Sequence, residues 1–445
     1  MQFPAIGKNC IALWLTVLSS LFIVTAATVT AQRRQPQPKA PGQPGKTAQA
    51  APAGIPEWPQ WGGRNRNFKS ESGALKESWP ASGPKQLWSR ALGEGHSAIL
   101  VDNGRLYTMY GSGARETVIS LDAATGKTLW EFPYETALSG LDLEYGKGPH
   151  ATPLIAGNLV YTVGVAGRMH ALDKRTGKLV WQHDLWNEYG GHRDDRGYSP
   201  SPIAYKNNVI VIVGGRNGQS LMAFDQQTGH LAWKNLNYTP APSSPVIINV
   251  SGQDQLIYFS TDEIVGCDPN NGSYLWHHPH KTQYGLNIST PAWDGQDNVI
   301  FMSSAYGTGS RAIQLTRNGN QTTARQLWAN NRMRVHIGTV IRLGDLAYGS
   351  SGDFGPAPFT AINVKTGQIA WQDRGIGRAS FLHADGKLIM LDEDGNLALA
   401  RPGATGLSIL AKASVLKNLS WTVPTLAGTK LYLRDRRTIM ALDLG

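Results

Sequence analysis

The sequence predicts an all-β protein, an eight-bladed β-propeller: a closed wheel of four-stranded antiparallel blades. Three observations predict it. A ten-residue phrase occurs five times, as LDAATGKTLW (121–130), LDKRTGKLVW (172–181), FDQQTGHLAW (224–233), CDPNNGSYLW (267–276) and INVKTGQIAW (362–371). Tryptophans carry the same period beyond those copies, at intervals of 42–52 residues from Trp88 to Trp371. The two ends of the chain read as complementary fractions of one unit.

Each position of the phrase has a mechanical reason. Asp122, Asp173, Asp225, Asp268 or Asn363 opens it, with a side chain suited to accept backbone N–H groups in a turn. Four residues on, Gly126, Gly177, Gly229, Gly272 or Gly367 supplies the positive φ that closes a hairpin. Eight residues on, Trp130, Trp181, Trp233, Trp276 or Trp371 buries a large face while its indole N–H finds an acceptor. Short alternating runs separated by turn signals precede most copies, such as ATPLIAGNLVYTVGV and then GRMHALD in 151–173. Each unit therefore reads as a four-stranded meander, and repetition at this spacing is the signature of a propeller.

Trp88 and Trp328 extend the series to seven, and a seventh interval ends at Leu410, where the tryptophan is lost. The stretch 421–445 supplies three strands, and GPKQLWSRAL (84–93) supplies a fourth without its first three. Joined, they complete one blade, close the ring and remove two raw edges.

Composition bounds the rest. Of 445 residues, 41% are hydrophobic and 17% charged, as in a globular body. The net charge is +10, but Lys8, Arg33, Arg34, Lys39 and Lys46 lie in 1–56, which holds no acid. The remaining excess is spread without a basic run, which excludes a nucleic-acid partner. Residues 1–31 read as a signal peptide: Lys8, the apolar run 11–27, then small residues before Ala31. A retained membrane anchor is the alternative reading of the same run. Residues 32–56 form a Pro/Gln/Ala-rich linker unable to bury a core. Residues 57–83 are a lead-in segment packing on the propeller, which occupies 84–445. With Cys10 removed, Cys267 is the remaining cysteine, so no internal disulfide forms. The expected location is periplasmic or secreted.

The Asp-x-x-x-Gly-x-x-x-Trp unit, in the setting G-x-x-x-A-L-D-x-x-T-G-K-x-x-W, resembles the pyrroloquinoline quinone (PQQ)-like repeat. The resemblance covers 84–445 and implies one of two branches. Quinoprotein dehydrogenases bind PQQ and calcium, with a vicinal Cys-Cys ring, a Glu, an Asn and an Asp about the metal, and a further Asp as base. The second branch holds cofactor-free propellers, including the propeller subunit of the outer-membrane β-barrel assembly machine. This chain has neither vicinal cysteines nor a C-x-x-C-H motif, and resembles the second branch more. The repeat itself names a fold rather than an activity.

Function must then reside where blades differ. The innermost strands begin at the mouth of the channel, and Glu94 is the acid found among those starts. His336, Arg378, Trp421, His96 and His150 fall on consecutive blades 6, 7, 8, 1 and 2. Tyr198, Ser243, Ser244, Asn287 and Ser289 fall on blades 3 to 5. A basic and aromatic arc facing hydroxyls and an amide suits an anionic, partly planar ligand; the alternative is a funnel filled by mutual hydrogen bonds. A zinc site from His96, His150 and His336 is excluded, because blades 2 and 6 lie opposite each other. The loop QHDLWNEYGGHRDDRGYSP (182–200) concentrates Trp186, Tyr189, His192, Arg193, Asp194, Asp195 and Arg196, residue types that anchor partners.

No catalytic residue and no metal ligand is assigned. The leading expectation is a non-catalytic exported scaffold for an envelope or secreted protein partner. The alternatives are small-ligand binding at the funnel, to PQQ or a sugar, and a PQQ- and calcium-dependent oxidoreductase.

Overall fold

In the computed structural model, residues 58–144 and 146–445 are described. The signal peptide, the linker and Cys10 lie outside them. Eight sheets form eight blades: blade 1 at 100–135, blade 2 at 154–184, blade 3 at 203–235, blade 4 at 246–279, blade 5 at 299–330, blade 6 at 341–373, blade 7 at 379–414, and blade 8 at 425–443. The strand Lys85–Ala91 completes blade 8 from the other end of the chain, with Lys85 opposite Asp443 and Ala91 opposite Thr438. Blade 5 departs from the expected four strands. Three form its ladder, and the innermost is reduced to the bridge between Ala292 and Phe301.

The repeated phrase is a lock between blades. Asp122 Oδ1 accepts the Thr125 N–H (2.9 Å) and hydroxyl (2.7 Å), which fixes the turn. The glycine that follows has φ near +71° and lies beneath the tryptophan of the preceding blade. A Cβ on Gly126, Gly177, Gly229, Gly272 or Gly367 would stand 2.5–2.7 Å from the rings of Trp88, Trp130, Trp181, Trp233 or Trp328 respectively. Four of those indoles also donate across the seam to the carbonyl just after the Asx residue: Trp88 to Ala123 (3.0 Å), Trp130 to Lys174 (3.0 Å), Trp181 to Gln226 (3.0 Å) and Trp328 to Val364 (2.7 Å). Trp371 donates to Gly403 at 2.9 Å.

Two tryptophans differ. Trp276 faces blade 5, whose long hairpin lacks the Asx-Gly turn, so it donates to Gln255 (2.7 Å), and Gln255 in turn donates to Thr322 of blade 5 (2.7 Å). The Trp233 N–H has no partner, and nothing in its surroundings explains this.

Within each blade the tryptophan sits just past a β-bulge, opposite a small residue: Ser120, Ala171, Ala223, Gly266, Ala312, Ala361 and Ala441. The bulge twists the outer strand, and the small partner leaves room for the ring. This register corrects the reading of blade 7. Ala411 pairs with Leu399 and Ile409 with Ala400. The lost tryptophan is therefore replaced by Ala411, and Leu410 is the bulged residue.

Strand direction assigns the two faces. Innermost strands run from the mouth to the far end, so the Asx-Gly turns lie on the far face. The interblade loops, and the loops joining second and third strands, lie on the mouth face. Residues 58–76 cross the axis among the inner strands. Trp58 bridges Val101 of blade 1, and Ile155 of blade 2 donates to Pro59. Arg66 reaches Pro202 and Pro245 ahead of blades 3 and 4, and Trp61 reaches Thr290 beside blade 5. Ser70 and Lys76 donate to His383 of blade 7 and Leu444 of blade 8.

A substitution pair separates the lock from simple backbone strain. Gly157 also has positive φ (+58°), but open space around its Cβ direction. Gly157→Ala is expected to cost about 1 kcal/mol. Gly177→Ala, which must also displace Trp130, is expected to cost about 3 kcal/mol or more. Urea denaturation measures both, and equal losses would refute the lock.

Candidate functional site

The mouth forms because loops of unequal length surround a ring of small hydroxyl residues. Those hydroxyls hold the wheel together. Thr152 Oγ1 accepts the Ala98 N–H (3.0 Å), Ser201 Oγ that of Thr152 (3.0 Å), and Ser244 Oγ that of Ser201 (2.9 Å). Ser243 donates to the Ser289 carbonyl (3.1 Å), and Ser289 to that of Ser303. The hydroxyl arc expected to face a ligand is thus spent on the backbone of neighbouring blades.

Asn287 is corrected in the same way. It is fully buried, donates to Ser260 (2.9 Å) and His280 (3.1 Å), and accepts from Ser304 (2.8 Å). Tyr198, near the end of the 182–200 loop, is also buried, and its hydroxyl has no partner among the described residues.

The basic and aromatic arc resolves into two clusters. In one, the His96 ring lies between Trp421 (centroids 5.3 Å) and His150 (5.8 Å). Trp421 donates its indole N–H to Glu393 at 3.1 Å, and His150 Nδ1 meets the Ser199 hydroxyl at 3.3 Å. Burial lowers the His150 pKa.

In the other cluster, His336 Nε2 meets the Tyr306 hydroxyl at 2.5 Å, and Phe354 packs 5.8 Å from both rings. Arg378 donates to the carbonyls of Gly355 (3.2 Å) and Asp353 (3.4 Å). Burial, and then the Arg378 charge, push His336 down to about 4, so it is neutral at pH 7. Burial pushes the Tyr306 phenol up, against the pull of Arg196 from the long loop.

Tyr284, Tyr306, Asp353, Phe354 and Glu393 were missed by a search confined to strand starts. All but Tyr284 stand on loops joining second and third strands. Their signal was aromatic or acidic residues within Gly-rich turns, SAYGTG and SGDFGPAP, where solvent exposure needs a reason.

The long loop is largely bonded to itself. Trp186 is buried under the Arg193 guanidinium (5.6 Å), which also donates to Asn187. Asp194 accepts the Arg196 N–H (2.8 Å), and Arg196 pairs with Asp195 (2.8 Å). Tyr189 meets His183 (3.2 Å), the His192 N–H donates to Val213 (3.0 Å), and the Asp142 N–H ties the neighbouring loop to the Asp195 carbonyl (2.6 Å). Trp186 is therefore an internal anchor, and the exposed surface of the loop includes Asn187, Glu188, His192, Arg193, Asp195 and Arg196.

Calcium with PQQ does not fit these residues. Glu393 is engaged by Trp421 and Asp353 by Arg334 (3.4 Å). Among the described residues no three His, Cys, Asp or Glu side chains converge to hold a metal, whereas calcium takes six to eight oxygens. The His96 ring stands 5.3 Å from that of Trp421.

Asx–Gly–Trp locks, terminal closure and a loop-built mouth together define a propeller of the PQQ-like repeat class. The chain belongs to the family described as outer membrane protein assembly factor BamB, whose family model matches residues 70–142 and 114–373. Outer membrane protein assembly factor BamB of Yersinia pestis is 24% identical over 308 residues, 64% of this chain and 72% of that protein. Quinohemoprotein alcohol dehydrogenase ADH IIB of Pseudomonas putida is 29% identical over 149 residues, 33% of this chain but 21% of that enzyme.

Among solved structures, quinohemoprotein alcohol dehydrogenase ADHIIG of Pseudomonas putida HK5 superposes with a TM-score of 0.56 at 14% identity, covering 88% of this chain and 80% of the other. The computationally designed Ika8 protein gives 0.53 at 12%, covering 81% and 100%. An enzyme and a designed protein share the wheel equally well, so this likeness carries the fold alone.

The buried His336 makes acid unfolding testable. Its folded pKa of about 4 lies below the ordinary 6.5. The folded state therefore binds fewer protons between these values, and its stability is full above pH 6.5 and falls as pH drops toward 4. His336→Gln is expected to remove about 2 kcal/mol of the loss between pH 7 and pH 5. Melting curves across that window check it; an unchanged pH slope would show that His336 is not buried neutral.

Proposed function

We propose that this protein is a non-catalytic, exported propeller scaffold whose mouth face binds a protein partner of the cell envelope. The observation that carries the reading is an aromatic patch on that face. Phe354 is 73% exposed and Tyr284 56% exposed, and they flank Tyr306, which contacts both rings. Contiguous exposed apolar patches rimmed by polar residues mark interaction sites. Arg334 pairs with Asp353 beside Phe354, and the Arg196 charge acts on Tyr306; aromatic residues with arginine are the usual composition of a binding hot spot. The far face carries the uniform locks and the lead-in segment, whereas the mouth face carries the loops that differ between blades. The family's name, outer membrane protein assembly factor, supports an envelope partner concerned with outer-membrane protein assembly and a periplasmic location.

Photo-crosslinking in the native cell tests this. A crosslinker at Phe354 is expected to trap proteins of outer-membrane assembly, whereas one at Leu231 on the rim is not. Identical adducts from both positions, or none from Phe354, would sink the proposal. PQQ with calcium is expected to leave the melting temperature unchanged; a saturable rise lost in Arg378→Ala would instead favour a quinoprotein.

A further inference from the structure

The far end of the channel holds a second concave feature, independent of the mouth. A cleft of about 410 Å³ opens between residues 60–69 of the lead-in segment and the inner strands of blades 3, 4 and 5. It exists because blade 5 has a single bridge where other blades have an inner strand, so Trp293 and Asp294 stand at its wall instead of in a ladder.

The lining is polar in a particular way. Gln60, Asn65 and Asn67 present amides, and Arg66 and Lys69 present cations. The carboxylate on the wall, Asp294, pairs with Arg342 at 3.3 Å and also acts on the Lys69 charge. Arg66 is 3% exposed. Its two terminal nitrogens donate to backbone carbonyls, Pro245 (2.8 Å), Pro202 (2.8 Å) and Ser201 (3.4 Å), while its Nε has no partner among the described residues. Among the described residues no carboxylate forms an ion pair with it.

A buried guanidinium without a counter-ion is costly. The contrast with Arg434 is instructive, because that arginine is also buried but has every nitrogen bonded and Asp435 beside it. Arg434 is complete as a structural clamp, and Arg66 is not.

We propose that this cleft binds a small oxyanion carried on a hydroxyl-rich skeleton, an acidic or phosphorylated monosaccharide. Arg66 and Lys69 meet the anion, the amides of Gln60, Asn65 and Asn67 meet hydroxyls, and Trp293 offers an apolar face to the ring. The volume lies within the range of small-molecule sites.

Isothermal titration of the full chain tests it, with D-glucuronate and glucose 6-phosphate as ligands and glucose and inorganic phosphate as controls. Saturable binding of at least one acidic sugar is expected, weakened ~10-fold or more by Lys69→Met and by Asn65→Ala, each with wild-type melting behaviour. Binding of glucuronate alone identifies a carboxylate ligand, and binding of glucose 6-phosphate alone identifies a phosphate ligand. Glucose binding as tightly as either would overturn the role of the oxyanion, and inorganic phosphate binding as tightly would overturn that of the hydroxyls. No heat from any ligand, or affinities untouched by both variants, would leave Arg66 a structural clamp and end the proposal.

Discussion

The contact on which this structure depends is the one between a tryptophan of one blade and the positive-φ glycine of the next. A blade alone is a small sheet with two exposed apolar faces and cannot persist in water. Seating Trp130 on Gly177, and its equivalents around the ring, covers those faces and fixes the rotation between neighbours. The indole N–H then reaches one particular carbonyl, so the seam is specified in direction as well as in distance. Glycine is required twice over, for its φ and for the space a Cβ would take, and few positions in a protein are so doubly constrained.

That constraint also divides the molecule by face. The locks occupy the turns of the far face, which must stay uniform for the wheel to close. The loops of the mouth face make no such contact and are free to differ in length and chemistry. There the chain places Phe354, Tyr284 and the Arg193–Arg196 segment. A family built on one repeat can diversify its partners by this division alone, because loop changes on one face leave the seams on the other untouched.

This also explains what was legible in the sequence. The repeat is local, so its turn residues and its tryptophans could be read directly, and closure followed from counting strands at both ends. The register of blade 7 could not be read this way, because without a tryptophan the bulge has no visible mark, and Leu410 and Ala411 look alike. The mouth was half legible. Strand starts pointed to His96, His150, His336, Arg378 and Trp421, since the innermost strands begin at the mouth. Asn287 and the serines were misread for a physical reason: a polar side chain at the axis can bond to the neighbouring blade as readily as to a ligand, and only geometry distinguishes them. Glu393 and Phe354 come from the loops between second and third strands, which the reversal of strand direction within each blade returns to the mouth.

The seam between blades 7 and 8 shows how the fold compensates where its main contact is missing. Ala411 cannot reach across as a tryptophan does, and the blade beyond it carries no Asx-Gly turn of its own. The lead-in segment bridges that gap. Ser70 donates to His383 (2.8 Å) and Leu75 to Asp385 (3.1 Å) on blade 7, while Lys76 donates to Leu444 (2.7 Å) on blade 8. Glu77 pairs with Arg401, and Leu75 is buried in the apolar cluster that runs through blades 7, 8 and 1. A strap held by backbone bonds on both sides restrains relative rotation as a seated indole does. The segment therefore acts as part of the wheel's closure, and the same chain that bridges its weakest seam also forms one wall of the cleft beside Arg66.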